Sequence, residues 1–165
     1  MSSDLVSNLE KVGWKDFAPG EFLKVDFDNI GKAKIAKNNW FVLLKSVPVL
    51  NMAEIETWND IYKDFTKRSR SGMFSSGKYF VLILLVDTIG ADAVEWLSQE
   101  NQPGFLEVAD TITNGGGYTL MVVKDRKRIF APKGVKLWDL LRATDFTNRT
   151  NHAVGEYVTS LAGGG

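Results

Sequence analysis

Tyr79-Phe80-Val81-Leu82-Ile83-Leu84-Leu85-Val86 is an unbroken apolar run that stops at Asp87. It is too short to span a bilayer and too uniformly apolar for a strand with one wet face. It reads as a strand covered on both sides, the centre of a sheet. Upstream, Asn51 is an N-cap with Glu54 at the third helical position, and Leu50 and Ile55 can form a staple across it. Ile55, Trp58, Ile61, Tyr62 and Phe65 then make one apolar stripe at helical spacing. Lys67, Arg68 and Arg70 favour the negative end of that helix dipole, and Gly72 is placed to stop it.

Further out, Leu5, Leu9 and Val12 mark a short amphipathic helix, capped by Ser3 or Asp4 and ended at Gly13. Pro19-Gly20 reads as a turn, residues 22–27 and 31–37 alternate as strands do, and Asn38-Asn39 offers a turn before a strand at 40–44. Beyond the apolar run, residues 91–100 and 105–113 read as short helices and 118–123 as a strand. Lys124 to Lys127 turn into a short strand at 128–131, residues 135–142 have helical character, and Val154, Tyr157, Val158 and Leu161 mark a last helix. Trp40, Trp58 and Trp96 fall on apolar faces and belong to the core. With no internal repeat and no long linker, residues 1–165 read as one α/β or α+β domain, a mixed sheet flanked by helices.

Composition narrows the functions open to it. A chain of 165 residues can bury roughly 70% of the surface it exposes when unfolded. With no Cys, thiol catalysis, disulfides, iron–sulfur clusters and Cys-based zinc sites are excluded, and a single His excludes multi-His metal centres. The start, Met1-Ser2-Ser3-Asp4, has no signal-like pattern, so the expectation is a cytoplasmic protein with no membrane span. Basic and acidic side chains number 20 each and the net charge is zero, with a pI near 6.6 that argues against a globally basic nucleic-acid binder. Neutrality is uneven along the chain. Residues 1–78 hold 12 basic and 10 acidic groups, residues 79–123 hold 6 acids and no Lys or Arg, and residues 124–165 hold 8 basic and 4 acidic groups.

Gly72 to Lys78 matches seven positions of the Walker A pattern, and Asp87-Thr88-Ile89-Gly90 mimics a GTPase element. A P-loop needs a strand before it and a helix after it. Here the order is reversed, and Tyr79 stands where a magnesium-binding hydroxyl should be. Asp87, at the carboxyl end of the most buried strand, is placed either as a ligand-site residue or as the cap of the next helix. Gly115, Gly116 and Gly117 read as a loop of positive-φ residues that can also bring backbone close to an anion. His152 could complete a triad with Asp139 or Asp145, but there is no nucleophile elbow, and it reads as an exposed residue opening the last helix. Lys124, Arg126, Lys127 and Arg128, beside Phe130, are the best nucleic-acid signature, with Lys63, Lys67, Arg68 and Arg70 a second basic cluster.

The order of an N-terminal helix, a hairpin reaching residues 40–46, a helix at 51–70 and a buried strand at 79–86 resembles the core of the restriction-endonuclease-like superfamily, whose site is written PD-(D/E)xK. The resemblance is one of pattern over about half the chain. It implies carboxylates holding Mg or Mn beside a Lys that helps activate water. Lys45 matches the Lys and Asp26 or Asp28 the first acid. Leu43 occupies the position of the second acid, so a metal would need Glu54 or Glu56 from the next helix. The expected state is a member without a working site.

Three readings follow. The first is a cofactor-free, non-catalytic module acting through a protein partner or self-association, for which the strand at 128–131 offers an edge. The second is a divalent-metal nuclease-like enzyme or nucleic-acid binder using Asp26, Asp28, Glu56 and Lys45. The third is a small-molecule sensor with its pocket at Asp87 and Gly115 to Gly117.

Overall fold

The computed structural model describes residues 3–35, 38–69, 78–98, 116–130 and 141–163. In chain order the elements are α1 (Ser3–Lys11), β1 (Lys15–Phe22), β2 (Val25–Ile35), β3 (Asn38–Leu50), α2 (Met52–Ser69), β4 (Lys78–Ile89), α3 (Ala91–Ser98), β5 (Gly116–Val123), β6 (Arg128–Phe130) and α4 (Leu141–Gly163). The six strands form one mixed sheet in the order β1-β2-β3-β4-β5-β6. β1, β2 and β3 are antiparallel, β3, β4 and β5 run parallel, and β6 returns antiparallel to β5. The two parallel steps need crossovers, and the first is α2.

The apolar run lies at the centre of the sheet, and its two parities serve two cores. Tyr79, Val81, Ile83 and Leu85 join α1 and α4 through Leu5, Leu9, Phe146, Val154 and Tyr157. Phe80, Leu82, Leu84 and Val86 join α2 and α3 through Ile55, Trp58, Phe65 and Ala93. The result is a three-layer α/β/α arrangement. Asn51 caps α2 as its sequence requires, its Oδ1 accepting the Glu54 N–H at 2.9 Å, and Leu50 and Ile55 are buried in the same core.

Several local expectations are corrected. Pro19-Gly20 is not a turn but lies within β1, an edge strand where the missing Pro N–H costs no ladder bond. The chain reverses instead at Leu23-Lys24, with φ of 47° and 69°, between paired Phe22 and Val25. Residues 22–27 and 31–37 are therefore not two strands: one strand, β2, runs from Val25 to Ile35. Asn38 and Asn39 do not turn either, since they pair with Ile35 and Lys34. Gly116 and Gly117 open β5 rather than lying in a loop, and Gly115 lies outside the described residues. His152 stands inside α4, not at its start, because α4 already begins at Leu141. Arg70, most of the Walker-like stretch, the helix read at 105–113, Asp139 and all of the helix read at 135–142 but its last two residues, which open α4, also lie outside the described residues. No helix among the described residues is long and apolar enough to cross a membrane.

Candidate functional site

At the β2–β3 hairpin the ladder is regular from Ile35↔Asn38 to Asn29↔Leu44. Beyond Leu44 a side chain takes over. Asp28 Oδ2 accepts the Ser46 N–H at 2.7 Å, and Lys45 Nζ donates to the main-chain oxygen of Asp26 at 3.3 Å. Asp26, Asp28 and Lys45 are thus brought together, but what they satisfy is backbone. Leu43 is 0% exposed, packed in the core shared with Phe80, Leu82 and Phe65. Glu56 is exposed on α2. Among the described residues no three Asp, Glu or His side chains converge as a metal ion would require.

At the other candidate end, β4 continues past Asp87 to Ile89, so Asp87 is not the cap of α3. Its carboxylate instead meets Lys124 Nζ at 3.1 Å and ties β4 to the β5–β6 connection. α3 starts at Ala91, and Asp92 Oδ2 accepts the Met52 N–H at 3.2 Å, linking the starts of α2 and α3. Gly117 is a packing position: a Cβ there would collide with the Phe80 carbonyl oxygen, and the Tyr62 hydroxyl donates to the Gly117 oxygen at 2.9 Å.

The basic turn has the expected shape. Lys124–Arg126 form one 3-10 turn closed by Lys127 at φ 49°. With Lys124 held by Asp87, the exposed cations are Arg126, Lys127 and Arg128, the last lying 4.6 Å over the Phe130 ring. In the second basic cluster Arg68 is occupied by Asp64 at 3.0 Å and by the Leu23 carbonyl oxygen at 3.1 Å, while Lys63 and Lys67 are exposed. No triad forms on α4. His152 Nε2 lies 3.2 Å from Glu156, and Asp145 faces Arg149 at 3.2 Å.

Sequence reasoning missed a concavity among the described residues. A cleft of about 670 Å³ opens between the α1–β1 connection, the end of β2 and α4, lined among others by Lys15, Lys32, Lys34, Asp16, Phe146 and Arg149. Packing of the α1–β1 connection on α4 bounds it. Trp14 Nε1 donates to Thr150 Oγ1 at 3.0 Å, the Trp14 and Phe146 rings stand 4.8 Å apart, and Arg149 donates to the Val12 oxygen at 3.4 Å. The local trace in the sequence is Lys32-x-Lys34 on one strand parity; the long-range pairing of Lys15 with Lys32 leaves no such trace.

Comparison with protein-family models, with curated proteins and with solved structures returns no match for this chain.

Proposed function

We propose that this chain is a non-catalytic binding module built on a restriction-endonuclease-like order of elements. One observation carries the reading. Leu43, where the second acid of the metal site would stand, is sealed in the apolar core, while Asp28 and Lys45 close the end of the β2–β3 ladder. A carboxylate at 43 would have to be buried among Phe80 and Leu82, a cost of several kcal/mol for an unpaired charge. The order of three antiparallel strands, a crossover helix and a parallel strand supports the likeness of pattern.

Its partners are met through polar surface, because Val49 is the one large apolar side chain well exposed among the described residues. Neither edge invites strand pairing. β1 carries Pro19 and two register shifts, and β6 is three residues long. A nucleic-acid partner is favoured by one feature, the exposed Arg126, Lys127 and Arg128 on a single turn.

The decisive experiment titrates Mg and Mn against melting temperature and against cleavage of generic DNA and RNA. The expected result is no cleavage and no shift that distinguishes the parent from Asp28→Ala. A manganese-dependent rise in melting temperature that vanishes in Asp28→Ala would sink the reading. Binding to duplex DNA that weakens with salt and is lost on reversing Arg126, Lys127 and Arg128 would assign the turn to phosphate contacts.

A further inference from the structure

We infer that the end of the sheet where β3 and β4 begin carries, on its α2 side, a binding surface for single-stranded nucleic acid. Successive side chains of a strand point to opposite faces, and the register assigns them here. Ala33, Ile35, Trp40 and Tyr79 belong to the α1–α4 face, Phe41 and Phe80 to the α2 face. Asn39 and Lys78, two residues before Phe41 and Phe80, therefore share the α2 face, and Lys34 joins them by pairing with Asn39. Lys32 pairs with Phe41 and Lys15 with Lys32, so both stand on that face one row further in. Two rows result: Lys34, Asn39 and Lys78 at the end of the sheet, then Lys15, Lys32 and Phe41. All four lysines are exposed, and among the described residues none has a carboxylate partner.

Two features point to a strand of nucleic acid rather than a small anion. The lysines are spread out, covering three strand spacings from β1 to β4, roughly 14 Å. Lys15 and Lys32 stand directly opposite each other, a repulsion that a run of phosphates along the rows relieves. Beside them is an aromatic seat. A cleft of about 320 Å³ on this face is lined by Lys32, Lys78, Phe22 and Phe41, and the Phe41 ring is only half-buried. An unstacked base can lie on such a ring, whatever its identity, because every base has a π-face. Asp16 and Glu21 line the same cleft. They repel phosphate and accept hydrogen bonds from base amino groups, so the backbone keeps to the lysine rows while the base enters the cleft. In a duplex the bases are not free to do so. The proposal rests on the binding-module reading for its sense, yet this surface lies at the opposite end of the sheet from Asp28 and from the Arg126 turn, so each can fail alone.

The test uses the full chain without metal and follows the fluorescence anisotropy of labelled oligo(dT), oligo(rU) and a DNA duplex of equal length. Both single strands are expected to bind at low salt and more tightly than the duplex. Log K should fall against log salt with a slope of about −3, from about 0.7 for each of four phosphates. Lys15→Gln/Lys34→Gln should weaken binding at least tenfold and reduce that slope by about 1.4, without lowering the melting temperature. Phe41→Leu should weaken binding about fivefold or more and leave the slope as it was, because it removes stacking and no charge. Arg126→Gln/Lys127→Gln should change neither. The proposal is overturned if neither single strand binds, if the Lys15 and Lys34 changes have no effect, or if the duplex binds as tightly as the single strands and Phe41→Leu alters nothing. Polyglutamate that displaces oligo(dT) at equal charge concentration would also overturn it, in favour of an acidic protein partner.

Discussion

At Gly117 the fold depends on a side chain that is missing. Any Cβ would strike the Phe80 carbonyl oxygen and lie 2.7 Å from its ring, so β4 and β5 could not keep their spacing. Gly117→Ala should therefore cost roughly 3 kcal/mol, the upper range of overpacking, seen as a lower urea midpoint. Gly155, inside α4 with nothing within 4 Å of the same position, is the contrast. There Ala should add about 1 kcal/mol through helix propensity. Equal effects at the two sites would remove the packing argument. The next residue carries a pH dependence. Burial pushes the Tyr118 phenol well above its ordinary value of 10, and its hydroxyl donates to Asn151 Oδ1 at 2.9 Å. Only the unfolded chain ionises this group just above pH 10. The stability it contributes is complete below that pH and is lost as pH rises toward the folded value. Measured from pH 8 to 11, the stability difference between parent and Tyr118→Phe should stay flat to about pH 10 and then shift in favour of Phe. A difference independent of pH would contradict the burial.

The β1–β2 hairpin shows where the elements were legible and where they were not. The helices declared themselves by stripe and cap, since Asn51, Glu54 and the Ile55 to Phe65 spacing act within one segment. The turn did not, because Leu23-Lys24 lacks the Asn-Gly chemistry that announces a two-residue reversal, and Pro19-Gly20 nearby supplies a false one. What holds the reversal is long range. Arg68 on α2 donates to the Leu23 oxygen, Leu23 packs on the core, and Phe22 stands 5.2 Å from Phe65. Tertiary contacts thus offset about 1–2 kcal/mol of left-handed cost at each of the two residues. Lys24 is exposed, so Lys24→Gly should relieve its share and add about 0.5–1 kcal/mol after the entropy cost of Gly in the unfolded chain. Chemical denaturation checks the sign. A lower midpoint for Lys24→Gly would mean that the turn is not strained as its dihedral implies.

For the whole molecule, the one stretch that decided the class also decides how it unfolds. The sequence exposed β4 because both parities are apolar, which no half-buried strand tolerates. The charge layout was less readable. Asp87 finds Lys124 across the sheet and Asp92 is used on Met52, while Glu100, Glu107 and Asp110 lie outside the described residues. The cleft was hidden for a similar reason, as the α1–β1 connection, the end of β2 and α4 meet only through long-range pairing and packing. β4, by contrast, makes one unit of two cores. Val81 and Leu82 are neighbours in sequence, each 0% exposed, yet they serve opposite faces. Neither face can keep its packing while the strand leaves the other, so the domain should unfold in one step. Trp14 and Trp40 report on the α1–α4 face and Trp58 on the α2 face. Leu82→Ala removes contacts on the α2 face only and should cost about 2–5 kcal/mol. Even so, it should lower the midpoint seen by Trp14 and Trp40, with the other tryptophans replaced by Phe, as much as that seen by Trp58. If the α1–α4 reporters keep the parental midpoint while Trp58 shifts, the two layers unfold separately, and β4 does not couple them.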